Sequence, residues 1–231
     1  IMYGFKMSKK KTVEAVAYDA YDIWAAAVYA NRVNNGYNKE DLWSMDPDTH
    51  LVEETPHTLA NRTVARKALA ETPGLITVAD KVKGTEVRQF ISSRLMIKAL
   101  TKKLNSFEDS LSQAVALDEF IVPQDKMYIG IINSQISAYD RMKKEEKLLQ
   151  DFVYGTYGKV GERLDIKVTP TSSFWLTDWG TYRYNSITED NYKTSFYYKE
   201  KLEIGVAVKV RGTVKKHTVD TTTINRIKVL N

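Results

Sequence analysis

Between Phe174 and Tyr198, nine aromatic residues fall within 25 positions: Phe174, Trp175, Trp179, Tyr182, Tyr184, Tyr192, Phe196, Tyr197 and Tyr198. Successive side chains on a strand point to opposite faces, so neighbouring rings cannot all turn inward. In "TYRYN" Tyr182 and Tyr184 share one face and Arg183 takes the other, while in "SFYYK" Tyr197 opposes Phe196 and Tyr198. Just downstream, "VKVRGTVKKHTVDTTTINRIKV" (208–229) carries six Lys or Arg. Exposed rings beside cations suit unpaired nucleic acid. Rings stack on bases for about 1–3 kcal/mol each, and cations follow the phosphates and release counterions.

The expected stacking residues are Trp175, Trp179, Tyr182, Tyr184, Tyr197 and Tyr198. Expected phosphate contacts are Arg183, Lys193, Lys209, Arg211, Lys215, Lys216 and Arg226. Alternation sets 182 and 184 against 183, so these groups cannot all serve one surface. The plainer account is a Tyr-rich β core with solvated lysines.

Other groups capable of chemistry are sparse. The segment "DLWSMDPDTHLVEETPH" (41–57) places Asp46, Asp48, His50, Glu53, Glu54 and His57 close together, types that can hold Mg or Mn. Ligands at a spacing of two need an extended segment and further partners, and none is identifiable, so a solvated acidic loop is expected. His217 ends a Lys-rich run with only Asp220 as a nearby acid, which fits a turn-stabilising or phosphate-contacting role. The sequence contains no phosphate-binding Gly loop, no G-x-S-x-G and no H-E-x-x-H. No catalytic residue, metal or cofactor is expected.

Charge is distributed unevenly. Residues 1–154 contain 21 Lys/Arg and 21 Asp/Glu, whereas residues 155–231 contain 13 against 8, so the whole net charge of +5 lies in the last third. A basic functional module attached to a neutral one is the natural reading. Hydrophobic residues at 43% and charged residues at 27% describe a globular chain. There is no Cys, which excludes thiol nucleophiles, disulfides and thiolate zinc sites. No apolar run reaches the roughly 18 residues of a membrane span, and a cytoplasmic setting, that of a bacterial host or an infected cell, is expected. Met7 before "SKKK" reads as the native start, with residues 1–6 non-native.

Two kinds of periodicity position these groups. From Ser8 to Asn35, Val13, Val16, Ala17, Ala20, Trp24, Ala27 and Val28 recur at three and four, which predicts a helix ending at Asn35-Gly36. Further helices are expected over about Thr58–Glu71, from Thr85 through Leu100, from Ser106 along "SFEDSLSQAVALDEF", and over about Asp125–Phe152. The Gly-rich "YGTYGKVG" (154–161) then breaks the pattern. Beyond it the period becomes two: "RLDIKVT", "TYRYNSIT", "TSFYYK", "VAVKVRGTVK" and "TTINRIKVL" read as five short strands, the count of a small barrel or sandwich. Gly212 inside the fourth suggests a bulge, a corner or a close backbone approach. The expected class is α+β: a helical domain over 1–154 and a five-stranded β domain over 155–231.

Gly205, Val208, Val210, Gly212, Thr213, Val214, Lys215 and His217, then a polar turn, then Thr223, Ile224, Asn225, Arg226, Ile227, Lys228 and Val229, form a recurrent pattern. It resembles the closing hairpin of oligonucleotide/oligosaccharide-binding (OB) segments in phage and plasmid DNA-replication proteins. "GKVGERLDIKV" (158–168) is similar to the glycine-led first strand of such segments. The likeness covers residues 158–231 and implies an OB-like barrel that binds single-stranded DNA in replication or recombination. The helical part, which matches no family, is then the expected seat of self-association or of contacts to a replication or recombination protein. The competing expectation is a protein-interaction or virion-assembly module whose rings are interface anchors. Oligosaccharide binding is disfavoured by the basic excess, and a metal-dependent nuclease would use the 46–57 loop.

Overall fold

The structure is a computed structural model that describes residues 15–45, 52 and 55–230. The chain divides into two compact units at Tyr139/Asp140. In the first, helix α1 (Ala20–Val33) buries Ala20, Ile23, Trp24, Ala25, Ala26, Ala27, Val28 and Ala30, so nearly every side of it is covered. A run of alanines permits this because it lets neighbouring backbones come close. On α3 (Val78–Thr101), a Cβ at Gly84 would stand 2.9 Å from the Ala25 nitrogen. A larger residue there would push the two helices apart. The remaining helices are α2 (Asn61–Glu71), α4 (Ser106–Ala116) and α5 (Lys126–Leu148), the last burying Ile129, Ile132 and Ile136.

Helix ends follow from local chemistry. Thr77 and Asp80 form a reciprocal capping box at α3, and Asn105 and Glu108 do the same at α4. Asp80 also accepts from Arg32 at 3.2 and 2.9 Å. Burial pushes the Asp80 carboxyl up, but the bonds from Arg32 and Thr77 outweigh it and hold its pKa below the ordinary value. Arg88 reaches the carbonyls of Val115 and Leu117, satisfying the open end of α4.

Several expected boundaries move, among them the end of the helix read through Phe120, since α4 stops at Ala116 and Phe120 lies in a strand. Val16 and Ala17 belong to strand β1 (Val16–Asp19), which pairs antiparallel with β2 (Glu119–Val122), and only from Ala20 is the predicted first helix helical. Residues 8–14 of that prediction, the acidic-loop residues Asp46, Asp48, His50, Glu53 and Glu54, and the proposed start at Met7 lie outside the described residues. The third helix begins at Val78 and not near Thr85, its first turns being masked in the sequence by the exposed Val78 and Val82. The fifth ends at Leu148 and not at Phe152.

In the second unit, five strands close into a barrel: β3 (Arg163–Leu176), β4 (Thr181–Thr188), β5 (Lys193–Tyr198), β6 (Val208–His217) and β7 (Thr221–Leu230). The order around the barrel is β3-β4-β5-β7-β6, antiparallel throughout except for the parallel β5–β7 pair. The α+β expectation and the OB-like five-stranded barrel both hold. Ile166, Val168, Tyr184, Phe196, Val210 and Ile224 fill the interior. Gly212 faces a β7 bulge at which Arg226 takes φ 53°. A Cβ on Gly212 would meet Ile224 Cγ2 at 2.4 Å and Ile227 Cδ1 at 2.8 Å, which explains the glycine. The end of α5 packs within this unit: Lys144 Nζ donates to the Ile204 carbonyl (2.7 Å), and Glu145 accepts from Ser172 Oγ (3.0 Å).

Candidate functional site

The register across β3, β4 and β5 sorts the aromatic cluster into rows. Phe174, Arg183 and Tyr197 are directly opposite one another and form one row. Trp175, Tyr182 and Tyr198 make the row on one side of it, and Ser173, Tyr184 and Phe196 the row on the other. By alternation the first row faces outward and the third lines the interior. Rings consequently run from rim to core: Trp175 to Tyr182 at 4.7 Å, Tyr182 to Tyr184 at 5.8 Å, Tyr184 to Phe196 at 5.4 Å.

Tyr184 leaves the expected stacking set. It is 0% exposed, its hydroxyl donates to the Glu200 carbonyl (3.0 Å) and accepts from the Leu202 N–H (2.8 Å), and burial raises its pKa. Tyr182 and Tyr198 are half-buried and pack against the core. The exposed rings are Trp179 (71%), Phe174 (57%), Trp175 (50%) and Tyr197 (44%). Trp179 sits in a single 3-10 turn (Thr177–Trp179) between β3 and β4, which Gly180 closes at φ 55°, and its ring lies 6.0 Å from Tyr197. Phe174 was not among the expected site residues. The pair "FW" at a strand end was the available signal, since two adjacent rings cannot both point inward.

Arg183 stands exposed between Phe174 and Tyr197, with no ion pair among the described residues. Farther along the same outer face the surface is shut: Ile187 is buried, Ser195 is buried, and Glu145 and Leu149 line a cavity of about 290 Å³ beside Asn185. What remains open is the rim near the β3–β4 turn. We refer to Phe174, Trp179, Tyr197 and Arg183 as the platform; Trp175, one step of parity away, is exposed on the opposite face of β3 against Tyr182.

The other expected cations are not brought to it. Lys193 Nζ pairs with Asp220 at 2.9 Å and lies 3.6 Å from the Phe152 ring centre, a structural clamp and not a free phosphate contact. The Lys193 bond, aided by Thr221, lowers the Asp220 pKa. Arg211 is held by both oxygens of Asp165, at 2.5 and 2.6 Å, which lowers the Asp165 pKa. Lys209 and Arg211 lie on β6, whose neighbours are β3 and β7, so the barrel wall separates them from the platform. Lys215, Lys216 and Arg226 are exposed on β6 and β7. The expected stacking and phosphate-contact residues thus lie on separate faces, as alternation requires for part of them. His217 takes a turn-stabilising contact, its Nδ1 standing 3.1 Å from Thr222 Oγ1.

Elsewhere, a groove of about 670 Å³ lies between α3 and α4, walled by Ile91, Leu95, Ile97, Phe107 and Leu111. Its Lys98 and Glu108 are paired with each other. Among the described residues no group of three or more His, Cys, Asp or Glu is placed to hold a metal, and no helix is long and apolar enough to cross a membrane.

Fold and surface together define an OB-like barrel bearing an exposed aromatic rim. Searches of protein families, curated proteins and solved structures found no match to this chain.

Proposed function

We propose that the barrel binds single-stranded nucleic acid at the platform, with DNA preferred over RNA and without strong sequence preference. The exposed row Phe174–Arg183–Tyr197, with the exposed Trp179 ring 6.0 Å from Tyr197, carries this reading. Folded chains seldom leave such contiguous apolar surface without a partner. Every base offers a π-face, so Phe174, Trp179 and Tyr197 would stack on bases while Arg183 contacts a phosphate or stacks in turn. The basic excess of residues 155–231 favours a polyanion over a neutral sugar. The resemblance of residues 158–231 to replication-protein segments suggests phage-encoded replication or recombination in a bacterial cytoplasm. The helical unit would then contact a protein partner or a second copy.

The test is a titration of fluorescent oligo-dT with the whole chain at two salt concentrations. Affinity should fall as salt rises, with a slope of about 0.7 per phosphate contact. The double variant Trp179→Ala/Tyr197→Ala should weaken binding at least tenfold, at about 1–3 kcal/mol per lost stack. Absence of any anisotropy change at low salt would overturn the proposal. The rival reading, a protein-docking surface anchored by the same rings, is favoured by the row Phe174–Arg183–Tyr197 setting a single cation between two rings. It requires these variants to abolish capture of a protein while oligonucleotides are ignored.

A further inference from the structure

The helical unit carries a groove that binding at the platform does not use. It runs along the C-terminal half of α3, with α4 as its other side. On α3 the lining positions 91, 94, 95, 98, 101 and 102 recur at three and four, so they form one stripe of the helix. The short connection 102–105 then turns α4 back beside that stripe. Ile91, Leu95 and Leu111 are buried in the groove, whereas Ile97 and Phe107 line it and remain exposed. From Ile91 to Lys102 the stripe is about 16 Å long at about 1.5 Å per residue, or about three turns. An open apolar groove of this length between two helices suits the apolar face of a third, anchored at i, i+3 or i+4, and i+7.

Charge says what kind of helix fits. Residues 94–103, "RLMIKALTKK", hold four cations and no acid, although residues 1–154 are balanced. Lys98 is held by Glu108, and Arg94 lies over the Phe90 ring at 5.3 Å. Lys102 and Lys103 are exposed, with no ion pair among the described residues. The α3 dipole favours cations at this end, but it does not account for Met96, Ile97 and Leu100 exposed among them. Gln135 of α5 supplies an independent sign. It lines the same groove at 7% exposure, and its Nε2 donates to Ser134 Oγ (3.0 Å). Its Oε1 accepts from no group among the described residues. An idle acceptor in an apolar groove suits an incoming N–H or O–H.

We infer that the α3–α4 groove docks an acidic amphipathic helix of a partner protein. The partner's apolar side chains pack between Ile97 and Phe107, its carboxylates meet Lys102 and Lys103, and a polar side chain donates to Gln135 Oε1. The inference specifies the partner contact of the helical unit and does not rest on nucleic-acid binding at the platform.

The probe is a fluorescein-labelled peptide of about 12 residues, matched to the groove, with Leu at i, i+4 and i+7 and Glu at its outward positions. A control peptide carries Lys in place of every Glu. Anisotropy is read with the full chain, Ile97→Gln/Phe107→Gln, Lys102→Glu/Lys103→Glu and Trp179→Ala/Tyr197→Ala. All the substituted side chains are exposed, so the variants should melt with the parent. The parent should bind the acidic peptide about tenfold or more tightly than the basic one, and less tightly as salt rises. Ile97→Gln/Phe107→Gln should lose about tenfold or more, as loss of apolar anchors does. Lys102→Glu/Lys103→Glu should reverse the preference between the two peptides. The Trp179/Tyr197 variant should bind the acidic peptide as the parent does, and Ile97→Gln/Phe107→Gln should leave oligo-dT binding unmoved, which separates this site from the platform. No binding of the acidic peptide, equal affinity for both peptides, or unchanged affinity in either groove variant overturns the docking site. Displacement of the bound peptide by oligo-dT overturns it in favour of nucleic acid in the groove. A parent dimer that Ile97→Gln/Phe107→Gln dissociates overturns it in favour of a second copy.

Discussion

Tyr184 and Tyr197 occupy adjoining rows of the same strand pair, and their environments are opposite. Tyr184 is sealed inside the barrel with both hydrogen-bonding capacities of its hydroxyl used; Tyr197 lies on the outer rim against Trp179. A single step of strand parity separates a ring that builds the core from a ring free to meet a ligand. Residue type therefore says little about role in an aromatic-rich barrel, whereas the row says nearly everything.

Stability measurements should break this comparison most sharply. Tyr184→Ala should cost about 3–5 kcal/mol, as deletion of a buried large ring does, read as a lowered urea midpoint. Trp179→Ala should stay within about 0.5 kcal/mol of the parent. A similar loss in both would mean that the rim ring is also structural. Next in size, Gly212→Val should destabilise the barrel by about 1–3 kcal/mol, because even its Cβ intrudes on Ile224 and Ile227. Melting temperature reports this directly, and an unchanged value would show that the β7 bulge can yield.

Binding should show the reverse order. Tyr197→Ala should weaken oligo-dT binding by about 1–3 kcal/mol with little change in stability. Tyr184→Phe keeps the ring and loses its two hydroxyl bonds, so it should cost about 1 kcal/mol of stability and leave the titration curve unmoved. The smallest effect is expected in acid. Asp165 and Asp220 have pKa values lowered by Arg211 and Lys193, so their contributions are complete above the unfolded carboxylate value, about 3.9. These contributions fade as pH falls through the lower folded values. Because both pairs are solvent-accessible the change should be slight. Asp220→Asn should flatten that part of a stability-versus-pH curve, and an undiminished slope would show that Lys193 gains nothing from its partner.

Much of the architecture was legible in local pattern. The change from a period of three and four to a period of two at the glycines of 154–161 marked the helical and strand-rich regions. The five strand segments, the start of α4 at Ser106, and the need for a glycine at 212 followed from neighbouring residues. The β1–β2 ribbon was not legible, because Val16–Asp19 and Glu119–Val122 are each four residues long and are defined only by one another. The start of α3 was hidden for another reason: its first turns carry the exposed Val78 and Val82, which break the apolar stripe even though Thr77 and Asp80 cap the helix locally.

The candidate site divides in the same way. Alternation alone showed that Arg183 and Tyr197 lie opposite in sense to Tyr182, Tyr184 and Phe196, since parity is a property of consecutive residues. Which sense was inward depended on how the sheet curled and closed, and closure is a relation among five strands. Only the tertiary structure set Lys193 against Asp220 and Arg211 against Asp165, and placed β6 beyond reach of the rim. Ion pairing and shared surface are long-range relations, which local periodicity does not encode.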